Sequence, residues 1–201
     1  MRIIAGKKRG MTLLIPKTDV TRPYTDRVKE SLFSVLYKYN LIEGRAVADV
    51  FSGVGSMGLE ALSRGASYVA FVESDRKILD CLRKNIERGG FEDVSTVFTT
   101  NAFRTGAPIG PGREPYSLIF VDPPYALSKD AGPGSMLAKM MAILPNQLAD
   151  DGLVILRVEG RTAVEEEYGQ LEQADCREWG RMRVILYKKK SENDVEQKSG
   201  D

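Results

Sequence analysis

The chain has 201 residues, 42% of them hydrophobic, and a formal net charge of +1, which suits one globular domain with a small appendage. It contains no histidine, and this excludes Ser-His-Asp and Cys-His catalysis, the usual histidine-bearing zinc sites, and dehydrogenases with a histidine acid–base group. Its two cysteines, Cys81 and Cys176, are far apart and lack metal-ligand spacing, so a reduced, cytoplasmic, metal-free protein is expected.

Charge is unevenly distributed. Residues 1–40 carry nine Lys/Arg against three Asp/Glu, whereas the remainder carries 20 against 25. "RIIAG" and "TLLIP" flank "KKRG", a β-hairpin pattern with Lys7, Lys8 and Arg9 at its tip. "TDRVKESLFSVLYKY" (25–39) places Val28, Leu32, Val35, Leu36 and Tyr39 on one helical face, with Thr25 or Asp26 as cap. A basic segment of this kind either docks a polyanion or is simply a solvated face. No apolar run approaches 18 residues and the start lacks signal-peptide features, so neither a membrane span nor a leader is expected.

From residue 41 the pattern alternates strand and helix, the mark of an α/β domain with a mostly parallel sheet. Strands are expected over 46–51, 68–73, 94–100, 116–122, 152–159 and 182–188. Helices are expected over 57–64, over 76–88 with Ile78, Leu79, Leu82 and Ile86 on one face, and over 134–149 with Pro145 ending or kinking the last. "GAPIGPGREP" (106–115) is a surface loop. The chain divides into a basic hairpin and helix (1–40), the α/β domain (41–188) and a tail (189–201) whose polar composition leads us to expect disorder.

"DVFSGVGSMG" (49–58) follows the first body strand and opens a helix. Gly53, Gly55 and Gly58 fit G-x-G-x-x-G, and Glu73 lies 20 residues after Gly53 at the end of the next strand. That spacing fits a cofactor containing adenosine, the acid accepting from ribose hydroxyls. NAD would seat a pyrophosphate at the helix amino terminus; S-adenosylmethionine has no phosphate and carries an ammonium, near which Asp49 is a useful acceptor. The alternative for Asp49 is a helix-cap or turn acid. "IFVDPPYA" (119–126) ends a strand on an acid, two prolines and a tyrosine. Adjacent prolines fix φ twice and leave carbonyls without neighbouring donors. Asp122 at the carboxyl end of its strand faces the same crevice as the glycine loop. A carboxylate and a proline carbonyl accepting from an exocyclic amine would favour the pyramidal nitrogen of methyl transfer, with a tyrosine stacked on the base.

"DVFSGVGSMGLEALSRGA", "FVESDRK", "TNAF" and "IFVDPPY" resemble the class I S-adenosylmethionine-dependent methyltransferases. Together with "RIIAGKKRG" and "RPYTDRVKESLFSVL" they resemble the bacterial 16S ribosomal RNA guanine-N2 methyltransferases of the RsmD type. The resemblance runs from Arg2 to about Lys188 and implies a Rossmann-like, mostly parallel seven-stranded sheet with helices on both faces. It implies that Asp49, Ser52, Gly53 and Gly55 line the methionine part of the cofactor, that Glu73 takes the ribose, and that Asn101 and Ala102 lie by the adenine. It implies that Asp122, Pro123 and Tyr125 hold the guanine, and that Arg22, Asp26, Arg27 and Glu30 lie on the RNA side with Lys7, Lys8 and Arg9. Plainer readings are a turn for Asn101 and a surface ion pair for Arg27 and Glu30. Val54 and Tyr24 depart from the family pattern and carry no expected role. A monomer acting on the small subunit or an assembly intermediate is implied. Rival readings are an adenine-N6 or glutamine methylase, an NAD-dependent oxidoreductase, and a non-catalytic RNA-binding factor.

Overall fold

The computed structural model describes residues 1–16 and 24–190. β1 (Ala46–Val50), β2 (Tyr68–Val72) and β4 (Tyr116–Val121) are short apolar runs, nearly every residue buried, as required of parallel strands covered on both faces. They join β3 (Ser95–Phe98) and β5 (Leu148–Glu159) in parallel, in the order β3-β2-β1-β4-β5. β8 (Met182–Lys189), β7 (Leu171–Trp179) and the two-residue β6 (Glu167–Tyr168) complete the sheet through antiparallel pairs. The described residues thus form a mixed eight-stranded sheet rather than the seven strands expected.

Alternate residues of the central parallel strands enter opposite cores. Val47, Val69, Phe71, Leu118 and Phe120 pack with α1 (Asp26–Tyr37), α2 (Ser56–Ser63) and α3 (Arg76–Gly89). Ala48, Val50, Ala70, Ile119 and Val121 pack on the other face, with α5 (Met136–Ile143) and the four-residue α4 (Ala102–Thr105). The helices begin where capping side chains meet unpaired N–H groups: Thr25 accepts from Val28 N, Asp75 from Lys77 N and Ser135 from Ala138 N. The helix expected over 134–149 stops at Ile143. Pro145 lies in a 3₁₀ turn (Leu144–Gln147), and Leu148 already pairs with Tyr116, so β5 starts four residues before Gly152.

The amino-terminal segment shares the main core, contributing Ile3, Leu13, Leu32, Phe33 and Leu36. Its expected hairpin is a ribbon with one antiparallel bridge, Arg2 to Thr12, flanked by Ile3 N to Met11 O and Leu13 N to Met1 O, each 3.0 Å. The ribbon runs along α2. Ile4 and Ala5 donate N–H groups to the fully buried Glu60 carboxylate at 2.7 and 3.0 Å. At the tip, Lys7 N donates to Ser63 O and Lys8 N to Ser63 Oγ. Lys29, 1% exposed, donates Nζ to Arg2 O at 2.9 Å and lies 3.5 Å from Glu60. Burial holds its pKa below the ordinary lysine value, against the pull of Glu60.

Removing one partner of a buried ion pair costs about 3–5 kcal/mol. Lys29→Met is therefore expected to lower the unfolding free energy by about that amount, read from urea melts. A loss below about 1 kcal/mol, the range of surface pairs, would show that the pair does not hold the ribbon.

Candidate active site

Strand order reverses between β1 and β4, and the carboxyl ends of these two strands open into a cleft of about 480 Å³. This is where open α/β sheets place their ligands. Past β1 the chain makes a left-handed corner: Phe51 has φ 61°, Gly53 φ 55° and Gly55 φ 87°. Glycine adopts this region without strain, whereas Phe51 does so at a cost and is held by its ring contact with Phe103, centroids 4.9 Å apart. Gly55 caps α2 from behind, where an added Cβ would meet Leu82 at 2.7 Å. At Gly58 an added Cβ would meet Phe71 at 2.3 Å, so the third glycine lets α2 lie close on β2.

Of the residues expected at the cofactor, Asp49, Ser52, Gly53, Glu73 and Asn101 line this cleft. Gly55 does not line it, and Ala102 is buried in the second core. Asp49 is 1% exposed and its Oδ2 accepts from Gly58 N at 2.8 Å, so it caps α2 and faces the cleft at once. Burial raises its pKa to about 8, opposed by the Gly58 N–H and reinforced by Asp122 and Glu73. Glu73 accepts from Gly53 N at 2.9 Å and from Ser74 and Asp75 N at 2.7 and 2.8 Å. Asn101 Oδ1 accepts from Phe103 N as the cap of α4.

Asp122, Pro123 and Tyr125 stand on the opposite wall, Asp122 donating its backbone N–H to Val50 O at 3.2 Å. The carbonyl of Pro124 accepts from Leu127 and Ser128 N, so it is not the free acceptor that the paired prolines led us to expect. Pro123 is the one left with that capacity. Asp122 Oδ1 lies 2.6 Å from Arg157 Nε. Burial raises the Asp122 pKa to about 6, and the Arg157 charge and hydrogen bond oppose the rise.

Three groups went unread in the sequence. Arg157, 4% exposed inside β5, carries its guanidinium 4.6 Å from the Tyr24 ring centroid and 5.4 Å from that of Tyr125. Its signal was a lone charge within the otherwise apolar "LVILRV" (153–158). Tyr24, assigned no role, is buried on the cleft wall. Ser56 also lines the cleft, and among the described residues the hydroxyls of Ser52 and Ser56 are buried without a hydrogen-bond partner.

The basic residues lie elsewhere. Lys7, Lys8 and Arg9 are exposed at the carboxyl end of α2, about 12 Å of helix away from the glycine corner. Arg27 and Glu30 are exposed on α1, and Asp26 pairs with Arg2 at 2.7 Å. Arg22 lies outside the described residues.

A doubly wound sheet with a left-handed glycine corner after β1 and an acid after β2 has the class I methyltransferase fold. The chain belongs to the family described as Conserved hypothetical protein 95, whose profile matches residues 1–188. It is 30% identical over 192 residues to "Putative rRNA methyltransferase YlbH" of Bacillus subtilis, covering 94% of this chain and 100% of that one. It is 34% identical over 161 residues to "Ribosomal RNA small subunit methyltransferase D" of Escherichia coli strain K12, covering 79% of this chain and 75% of that one. The solved structure "Putative methyltransferase yhhF from Escherichia coli" superposes with a TM-score of 0.78 at 31% identity, over 96% of this chain and 99% of that one.

An adjacent arginine lowers an aspartate pKa by about 1–3 units. Replacing Arg157 with Met is expected to raise the Asp122 pKa above about 6, followed by carbon-13 carboxyl NMR against pH. Arg157→Lys should restore much of the lower value. An unmoved titration in the Met variant would show that the 2.6 Å contact does not govern the ionisation of Asp122.

Proposed function

We propose that the protein transfers a methyl group from S-adenosylmethionine to the exocyclic N2 amine of a guanine in 16S ribosomal RNA, acting as a cytoplasmic monomer. The observation that carries this reading is the meeting, in one cleft, of the Asp122–Tyr125 corner with the Asp49, Ser52 and Glu73 loop. The relatives named as small-subunit ribosomal RNA methyltransferases support the choice of RNA.

The residues fit the cofactor. The unpartnered Ser52 and Ser56 hydroxyls suit its carboxylate, Asp49 its ammonium, Glu73 the ribose hydroxyls, and Phe51, Ile78 and Phe103 the flat adenine beside Asn101. NAD is disfavoured, because Asp49 already occupies the Gly58 N–H at the start of α2 and would face a pyrophosphate. When bound, S-adenosylmethionine supplies an electrophilic methyl on a sulfonium sulfur. The chain's own part is positional and electrostatic. Arg157 takes Asp122 Oδ1, leaving Oδ2 and the Pro123 carbonyl to accept from the guanine amine while Tyr125 stacks on the base. Held in this way, the amine would have its lone pair turned toward the cofactor side of the cleft, and Asp122 would be placed to take the proton that the amine loses. Lys7, Lys8, Arg9, Arg22 and Arg27 are assigned to RNA phosphates, where contacts position and do not discriminate.

Asp49, with a pKa of about 8, is protonated in the free protein below that pH and must ionise to hold an ammonium. Affinity for S-adenosylhomocysteine should therefore rise with pH, by up to about tenfold per unit, and level off above about 8; calorimetric titration reads this directly. A flat affinity between pH 6 and 8 would remove Asp49 from the ammonium site.

Asp122→Ala is expected to reduce methyl transfer to small ribosomal subunits by roughly 10²–10³, the effect of losing one transition-state hydrogen-bonding group, with S-adenosylhomocysteine affinity nearly unchanged. Methylated nucleosides would be identified after digestion. Parental turnover in this variant, or a product methylated at adenine N6, would overturn the reading.

A further inference from the structure

Tyr125 has a second side. Beyond it lies a shallow groove of about 340 Å³, walled by Val28, Trp179 and Met182 and edged by Glu159 and Arg181. Trp179 and Met182 are half-buried, packed against the main core, and flank the β7–β8 turn, where Gly180 has φ 61°. The turn thereby holds an indole and a thioether side by side on rigid strands. Among the described residues no hydrogen bond or ion pair occupies the side chains of Glu159 or Arg181. Tyr125 belongs to the walls of both the groove and the main cleft.

We propose that this groove seats the nucleotide adjoining the target guanine. The inference rests on the reading of the main cleft as the guanine site. A base drawn past Tyr125 into the cleft loses its stacking neighbour, and that neighbour must pass the outer side of Tyr125. An aromatic and thioether surface there takes up the exposed base face, as single-strand binders do. Arg181 suits the adjoining phosphate, and the Glu159 carboxylate suits a base N–H. The combination favours single-stranded RNA over a protein segment, because a shallow groove lined by a tyrosine and a tryptophan with one cation at its rim matches a base and its phosphate.

Trp179 is the single tryptophan of the chain, so its fluorescence reports this groove alone. With S-adenosylhomocysteine present, a five-nucleotide single-stranded oligoribonucleotide with a central guanine is expected to quench it, whereas guanosine monophosphate, confined to the main cleft, leaves it unchanged. Trp179→Ala and the surface change Arg181→Ala should each raise KM for small ribosomal subunits about tenfold, with kcat and S-adenosylhomocysteine affinity unchanged. Trp179→Phe should retain most of the parental KM. Parental methylation with no quenching and unchanged KM in both alanine variants would overturn the groove and spare the cleft. A raised KM without quenching would assign the groove to a protein of the subunit, which also overturns it. Quenching by the oligoribonucleotide together with an inactive parental protein would instead overturn the reading of the cleft while supporting a single-strand seat.

Discussion

The carboxylate of Glu60 joins three parts of the molecule that share little else. It has no solvent exposure, yet it accepts from Ile4 N and Ala5 N of the ribbon and from Arg64 Nε at 2.7 Å, with Lys29 of α1 beside it. A buried charge with this many donors is tolerated, and with one fewer it becomes an uncompensated cost. Two ribbon N–H groups have no strand partner and depend on it. Lys29 extends the joint to the active-site end, since its Nζ also donates to Ser56 O in the first turn of α2, at 3.3 Å. The ribbon is consequently laid along α2 in a single register. Met1, Ile15 and Pro16 reach the cleft, and Lys7, Lys8 and Arg9 are carried to the far end of the helix. The three basic residues of the ribbon tip are thus separated from the cleft by the length of α2.

Around the cleft the usual rules of a folded interior are broken in a cluster. Phe51 occupies the left-handed region, two serine hydroxyls are buried without partners, and Asp49 and Asp122 are held well above the ordinary aspartate pKa by burial. Each departure costs stability in the free protein. Each is also a capacity held open: a donor, an acceptor or a charge that a ligand can satisfy. Elsewhere such openings are scattered, at Ser128 Oγ and Arg183 Nε, and groups such as Asn85 are closed, bonding Leu14 O, Leu14 N and Val54 O. The contrast separates site from scaffold without reference to any relative.

Much of the scaffold was legible because parallel strands covered on both faces read as uninterrupted apolar runs, and β1, β2 and β4 are such runs. β7 was not. Its "LEQADCREW" is mostly exposed on both faces, so no alternation marks it, and its strand character comes from pairing with β8. The early start of β5 was hidden for a related reason, because Asp150 and Asp151 are exposed and read as loop. In the site, motif residues were legible through spacing: Gly53 and Glu73, 20 residues apart, do meet through a hydrogen bond. Arg157 and Tyr24 could not be read that way. They belong to no local pattern and acquire meaning only where β5 brings a guanidinium beneath the end of β4.

On the proposed function, that guanidinium also explains how one cleft can admit a base from a polyanion. Among the described residues four acidic side chains line it, Asp49, Glu73, Asp75 and Asp122, against Arg157 as the single basic side chain. An acid excess of this kind attracts a sulfonium and an ammonium and repels phosphate. On the proposed function, the RNA backbone is therefore held outside, and what enters is the neutral base. Arg157 offsets the excess where the base must bind. It is fixed by the pairing of β5 with β4 on one side and with β8, at Val184, on the other. Its side chain lies against both Tyr24, the first described residue after the 17–23 segment, and Tyr125 of the substrate corner. Rigid backbone on two sides and aromatic rings on two more leave the cation little freedom. The Asp122 carboxylate is then oriented by the sheet itself and not by the loop that carries it.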